Sequence, residues 1–75
     1  MSNRKKTITY WWVLAKRLGN IYKATDDDLL KHVCGKIIHD GNSKALLVAA
    51  NSKLLTNALL SWIKLAEYVL QKEKI

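Results

Sequence analysis

The sequence predicts an all-α fold, a small bundle of three to four helices with a long amphipathic helix at its carboxyl end. Three observations carry this. The 75 residues contain no proline, and glycine occurs only at Gly19, Gly35 and Gly41, so little interrupts helix. Apolar residues recur at spacings of three and four through most of the chain, the period of one helix face. Polar residues of the type that cap helices precede the apolar runs.

Residues 1–6 are polar and basic without periodicity and are expected to form a flexible arm, leaving residues 7–75 as a single helical domain. The first helix is expected from Thr7 to Ala24. On it Trp11, Leu14, Ala15, Leu18, Ile21 and Tyr22 share a core-facing stripe, with Trp12, Lys16, Asn20 and Lys23 opposite. Its start competes with strand, because residues 7–13 are all β-branched or aromatic.

The second helix is expected from Asp26 to His39. The Thr25 hydroxyl is placed to accept an orphan backbone amide, Asp28 to reach back as in a capping box, and Asp26, Asp27 and Asp28 to meet the positive end of the helix dipole. Leu30, Val33, Cys34 and Ile37 form its buried stripe, and Gly41 followed by Asn42 reads as a left-handed stop.

A short echo follows, in which Asn42-Ser43-Lys44-Ala45-Leu46-Leu47 recurs as Asn51-Ser52-Lys53-Leu54-Leu55. Either two helices start there, or one long helix carries a polar notch at Asn51 and Ser52. From Ser52 onward Leu55, Ala58, Leu59, Trp62, Ala66 and Val69 define the long carboxyl-terminal helix, which ends in Lys72 and Lys74. Leu60 falls on its outer face beside Lys53, Lys64 and Glu67.

Composition narrows the function class. Lys plus Arg number 13 against 6 acids, a net charge of +7 that favours nucleic acid, an anionic membrane or an acidic protein surface as partner. A hydrophobic fraction of 49 % exceeds what one small bundle hides, so a homodimer or other homo-oligomer is expected. Cys34 is the one cysteine, which excludes an intramolecular disulfide and a cysteine-based zinc knuckle and suits a reducing cytoplasm. The apolar run from Tyr10 to Ala15 is cut by Lys16 and Arg17 without a cleavage site, and no stretch approaches the roughly 18 apolar residues of a membrane span.

The charge is lopsided. Arg4, Lys5, Lys6, Lys16, Arg17 and Lys23 fall in the first 24 residues with no acid among them, beside Tyr10, Trp11 and Trp12. Cations next to large rings suit phosphate backbones and stacked bases. Arg4, Lys5, Lys6, Trp12, Lys16, Arg17 and Lys23 are therefore the expected nucleic-acid-binding residues. The bland alternatives are a solubilising tail for Arg4 to Lys6 and a packed interface position for Trp12.

Two partial resemblances follow from the same segment. Leu14-Ala15-Lys16-Arg17-Leu18-Gly19 resembles the first helix and turn of a helix-turn-helix DNA reader. The next helix departs from that pattern, since Thr25 and Asp28 fall where inward apolar residues belong and Asp26 to Asp28 would face phosphates. A strand-like start followed by two helices also resembles a ribbon-helix-helix dimer, with Lys6 and Thr9 pointing at bases. The paired indoles of Trp11 and Trp12, and the lack of a glycine before Thr25, depart from that one.

Catalysis and metal binding find little support. Asp28, His32 and His39 share one face of the second helix, but His32 and His39 stand roughly 10 Å apart along the axis, too far for one ion. Cys34 points to the core side and His32 does not, so they make a poor thiolate and imidazole pair. No enzyme activity, metal or cofactor is expected. The amphipathic helices with three tryptophans are similar to basic helical bacteriocins, and small immunity proteins share the same composition, although no motif marks either. The leading expectation is a small non-enzymatic regulator that binds nucleic acid mainly through phosphates. The alternative is an inhibitor, adaptor or immunity-type module that docks an apolar face, with Trp12, Leu60 and Tyr68 at the interface.

Overall fold

The structure, a computed structural model, describes residues 4–50 and 55–73. It contains three helices, α1 (Arg4–Ala24), α2 (Asp28–Ala49) and α3 (Thr56–Lys72), and no strand among the described residues. All three pack on one another, and their joint core consists of Trp11, Leu14, Ala15 and Leu18 from α1, Cys34, Ile37, Ala45 and Val48 from α2, and Leu59, Ile63 and Ala66 from α3. No polar or charged side chain is buried among the described residues.

The segment that competed between strand and helix is helical. Strand preference is worth about 1 kcal/mol per residue across its whole scale. The helical spacing of Trp11, Leu14, Ala15 and Leu18 instead puts four side chains into the core together, and burying an indole of roughly 200 Å² alone contributes about 5 kcal/mol. A ribbon-helix-helix arrangement is thereby removed. Gly19 lies inside α1 and makes no turn, so the helix-turn-helix resemblance of residues 14–19 fails as well.

The expected arm is corrected too. α1 begins at Arg4, so Arg4, Lys5 and Lys6 form its first turn, while residues 1–3 lie outside the described residues. Ile8 packs against the core and the Thr9 hydroxyl donates to the Lys5 carbonyl at 2.9 Å. Once that turn is docked, extending the helix by one more adds a hydrogen bond per residue at little cost.

Thr25 to Asp27 form the α1–α2 turn, and the cap of α2 is shifted from Thr25 to Asp27. The Asp27 carboxylate accepts from the amides of Leu29 at 3.0 Å and Leu30 at 3.2 Å, while the Thr25 hydroxyl accepts from the Asp27 amide at 3.0 Å. Helix α2 then runs straight through the expected stop. Gly41 is buried within it, and Asn42 and Ser43 are helical, the Ser43 hydroxyl donating to the His39 carbonyl at 3.2 Å.

The reason lies across the helix pair. A Cβ at Gly41 would stand 2.1 Å from Cζ2 and 2.2 Å from Cη2 of Trp11, so the glycine exists to admit the indole. The neighbouring Asn42 Oδ1 accepts the Trp11 Nε1–H at 2.9 Å. A dipeptide that reads as a helix stop is the seat of one tryptophan. Without a stop there, the first copy of the echo lies inside α2, which ends at Ala49, and Asn51 to Leu54 of the second copy lie outside the described residues.

Helix α3 is described over 17 residues from Thr56, against 21 in α1 and 22 in α2, and its expected start at Ser52 lies outside the described residues. Among the described residues α3 is therefore not the longest helix. Its buried line is Leu59, Ile63 and Ala66, with Leu55, Trp62, Val69 and Leu70 packed at the margin. The short turn at Thr25 makes α1 and α2 antiparallel, and α3 returns alongside α1, where Tyr10 meets Glu67.

Candidate nucleic-acid interface

Helix α1 supplies most of the candidate surface. Over its 21 residues it carries six cations and no acid. With Trp11, Leu14, Ala15 and Leu18 buried, the outward half is set by the helical period. Lys5, Trp12, Lys16 and Lys23 line up along one edge of it; Lys6 and Arg17 lie along the other, about 100° further round. All six are exposed. None of Lys5, Lys6, Lys16, Arg17 or Lys23 forms an ion pair among the described residues.

The expected site residues therefore share one helix but not one line. Trp12 is 41 % exposed and belongs with the lysine edge, as expected, and the helical first turn adds Lys5 to that row. Lys6 and Arg17 form a second row that a wheel starting at Thr7 does not reveal. Arg4 is half-buried at the helix start.

Between the two rows runs a central lane of Thr9, Val13 and Asn20, all exposed, with Val13 at 50 %. Asn20, expected on the lysine edge, lies in this lane with Val13, which the helical period places opposite the core stripe. Tyr10 closes the far rim. Its hydroxyl donates to a Glu67 carboxylate oxygen at 2.5 Å, and that bond, with some burial and the Glu67 charge, holds the phenol above its ordinary pKa. A shallow depression has Lys5, Lys6, Thr9, Tyr10 and Val13 as its described lining.

Two acids, Glu67 of α3 and Glu73 at its end, border the Arg17 row, Glu67 lining a depression with Tyr10 and Arg17, and Glu73 one with Arg17 and Asn20. Asp27 is spent on the α2 cap, Asp40 pairs with Lys36 at 3.8 Å, and Glu67 is engaged by Tyr10. Along the α1–α2 seam Lys31 sits over the Tyr22 ring at 5.4 Å, beside a cleft lined by Tyr22, Asp28, Lys31, His32, Gly35 and Lys36. Gly35 is where that ring closes on α2, a Cβ there lying 3.2 Å from Tyr22 Cε2.

The residues expected at a protein interface do not form one surface. Trp12 is on the lysine edge of α1, whereas Leu60, 40 % exposed, shares the side of α3 that carries Glu67 and meets the opposite edge of α1. Tyr68 is 58 % exposed with Lys72 over its ring at 5.3 Å, turned further outward on α3.

Among the described residues no three His, Cys, Asp or Glu side chains stand close enough to hold a metal ion. Cys34 is fully buried, and burial, helped by the Glu73 charge, pushes its thiol above the usual range. No helix among the described residues is long and apolar enough to cross a membrane. The chain matches no known protein-family model, no curated protein and no solved structure.

Proposed function

We propose that this protein is a small non-enzymatic regulator that binds nucleic acid through the outward face of α1, chiefly by phosphate contacts. The observation that carries the reading is the acid-free helix with Lys5, Lys6, Lys16, Arg17 and Lys23 all exposed and unpaired among the described residues. The first turn adds to it. Lys5 and Lys6 stand at the positive pole of the helix dipole, a placement that costs stability in an isolated protein and that an anion would reverse. Local rules are broken most often where a surface has a task other than folding.

The test is a salt series with duplex and single-stranded DNA of random sequence. Engagement of all five cations gives a plot of log affinity against log salt with a slope of about −4.5 on duplex and about −3.5 on single strands. Lys16→Glu with Lys23→Glu, both on the exposed edge, should abolish binding and leave the helical circular dichroism unchanged. Absence of binding at low salt refutes the reading.

A second reading is association with another protein or a second copy of this chain in the cytoplasm. It is favoured by Leu46 and Leu47, adjacent near the end of α2 and 61 % and 48 % exposed. Sedimentation equilibrium tests self-association, and recovery of one stoichiometric partner from nuclease-treated lysate tests the other form.

A further inference from the structure

We infer that α1 is a groove-entering helix, its outer face reading double-stranded DNA of B form in the major groove. Thr9, Val13 and Asn20 face the bases, while Lys5, Lys16 and Lys23 on one side and Lys6 and Arg17 on the other meet the two phosphate backbones. This rests on the nucleic-acid reading above and adds to it the form of nucleic acid and the residues that discriminate sequence.

The argument starts from symmetry about the outward direction of the helix. The two cationic rows are separated by about 100° and straddle the line opposite the core, with the neutral lane centred between them. A helix with its side chains is about 10–12 Å across and the major groove about 12 Å wide. A helix seated there has a phosphate backbone on each flank and base edges ahead of it. Cations on both flanks of an uncharged lane match that layout, with Glu67 and Glu73 on the α3 side of Arg17, whereas binding to one strand needs only one row.

The lane also has the right chemistry. Asn20 presents an amide, the group that bonds in bidentate fashion to N6 and N7 of adenine, and Val13 presents methyl groups for the thymine C5-methyl. The Thr9 hydroxyl is already given to the Lys5 carbonyl, which leaves its γ-methyl for apolar contact. From Thr9 to Asn20 the lane extends about 16 Å along the helix, roughly five base-pair steps.

Other nucleic acids fit less well. A single-strand platform stacks bases on rings set along the cationic track. Here Tyr10 and Trp12 are at opposite rims, Tyr10 is tied to Glu67, and the third exposed ring of α1, Tyr22, lies on the α1–α2 seam under Lys31. Double-stranded RNA hides its base edges in a deep, narrow major groove that side chains do not read.

The test begins by selecting 20-base-pair duplexes from a random pool with the full chain. The selected duplex is then compared with the same duplex carrying 7-deazaadenine, which deletes the N7 acceptor in the major groove alone, and with its separated strands. The expected result is a duplex preference and enrichment of a short site containing adenine. About tenfold weaker binding to the 7-deazaadenine duplex is also expected, a difference that Asn20→Ala erases without altering the salt slope. Asn20 is exposed and alanine is the better helix former, so the variant folds. Salt-dependent binding without enrichment or a 7-deazaadenine effect, or a preference for single strands, overturns the groove assignment while the phosphate-binding function stands. Loss of all nucleic-acid binding removes both.

Discussion

The seat of Trp11 gives the sharpest test of the fold, because three glycines in one chain meet three different surroundings. Gly41→Ala places a Cβ 2.1, 2.2 and 2.8 Å from three atoms of the indole six-membered ring and its junction, where ordinary contact needs 3.4 Å or more. The ring is fully buried and held by Asn42 at 2.9 Å, so relief requires moving the ring or opening the α1–α2 pair by more than about 1 Å. Overpacking of this kind costs about 1–3 kcal/mol, and losing the indole hydrogen bond about 1 more. Alanine's helix propensity returns about 1 kcal/mol.

The net expectation is a destabilisation of about 2 kcal/mol, and at roughly 4–8 °C per kcal/mol for a domain of this size the midpoint falls by about 10 °C. Gly19→Ala is the internal control. Nothing lies within 4 Å of its Cβ, so the full propensity gain of up to about 1 kcal/mol should appear as added stability. Gly35→Ala meets only the Tyr22 ring edge at 3.2 Å, on an exposed side chain that can shift, and should be near neutral. Urea unfolding followed by tryptophan fluorescence and circular dichroism measures all three. If Gly41→Ala is as stable as the parent with unaltered tryptophan emission, the account of the α1–α2 contact is wrong.

Three further outcomes follow from the same structure. Asp27→Ala removes the acceptor for two amides at the start of α2 and should cost about 1 kcal/mol, with Thr25→Ala costing less; equal losses in a urea titration would return the cap to Thr25. Tyr10 and Cys34 both hold their protons more tightly in the folded state, so their contribution to stability is complete below their unfolded pKa values and is lost as pH rises through the raised folded ones. Stability should therefore decline on the alkaline side, and Tyr10→Phe should remove part of that decline while changing stability near neutrality by less than about 1 kcal/mol. The Cys34 thiol should resist alkylation in the native protein and react once urea unfolds it, so rapid native labelling would contradict its burial.

The amino-acid sequence by itself determined the helical class, the core stripe of α1 and the edge of that helix shared by Trp12, Lys16 and Lys23. Those properties depend on the order of residues along one helix, and the period of 3.6 converts spacing directly into a face. The inward position of Cys34 and the outward position of Trp12 were legible for the same reason. Only the tertiary structure decided that Gly41 and Asn42 continue a helix. A glycine and an asparagine favour a stop when the local backbone is the sole consideration, but a large indole from α1 occupies the space the missing Cβ leaves and uses the amide oxygen.

The start of α1 was decided in the same way, since Arg4 to Lys6 have no periodicity of their own and become helical because Ile8 docks on a core built from all three helices. That one added turn put Lys5 in line with Trp12, Lys16 and Lys23, and set Lys6 opposite, on the row of Arg17. The composition announced a basic segment; packing of one face against α2 and α3 settled which half of it faces outward, and so turned a charge count into two rows with a lane between them.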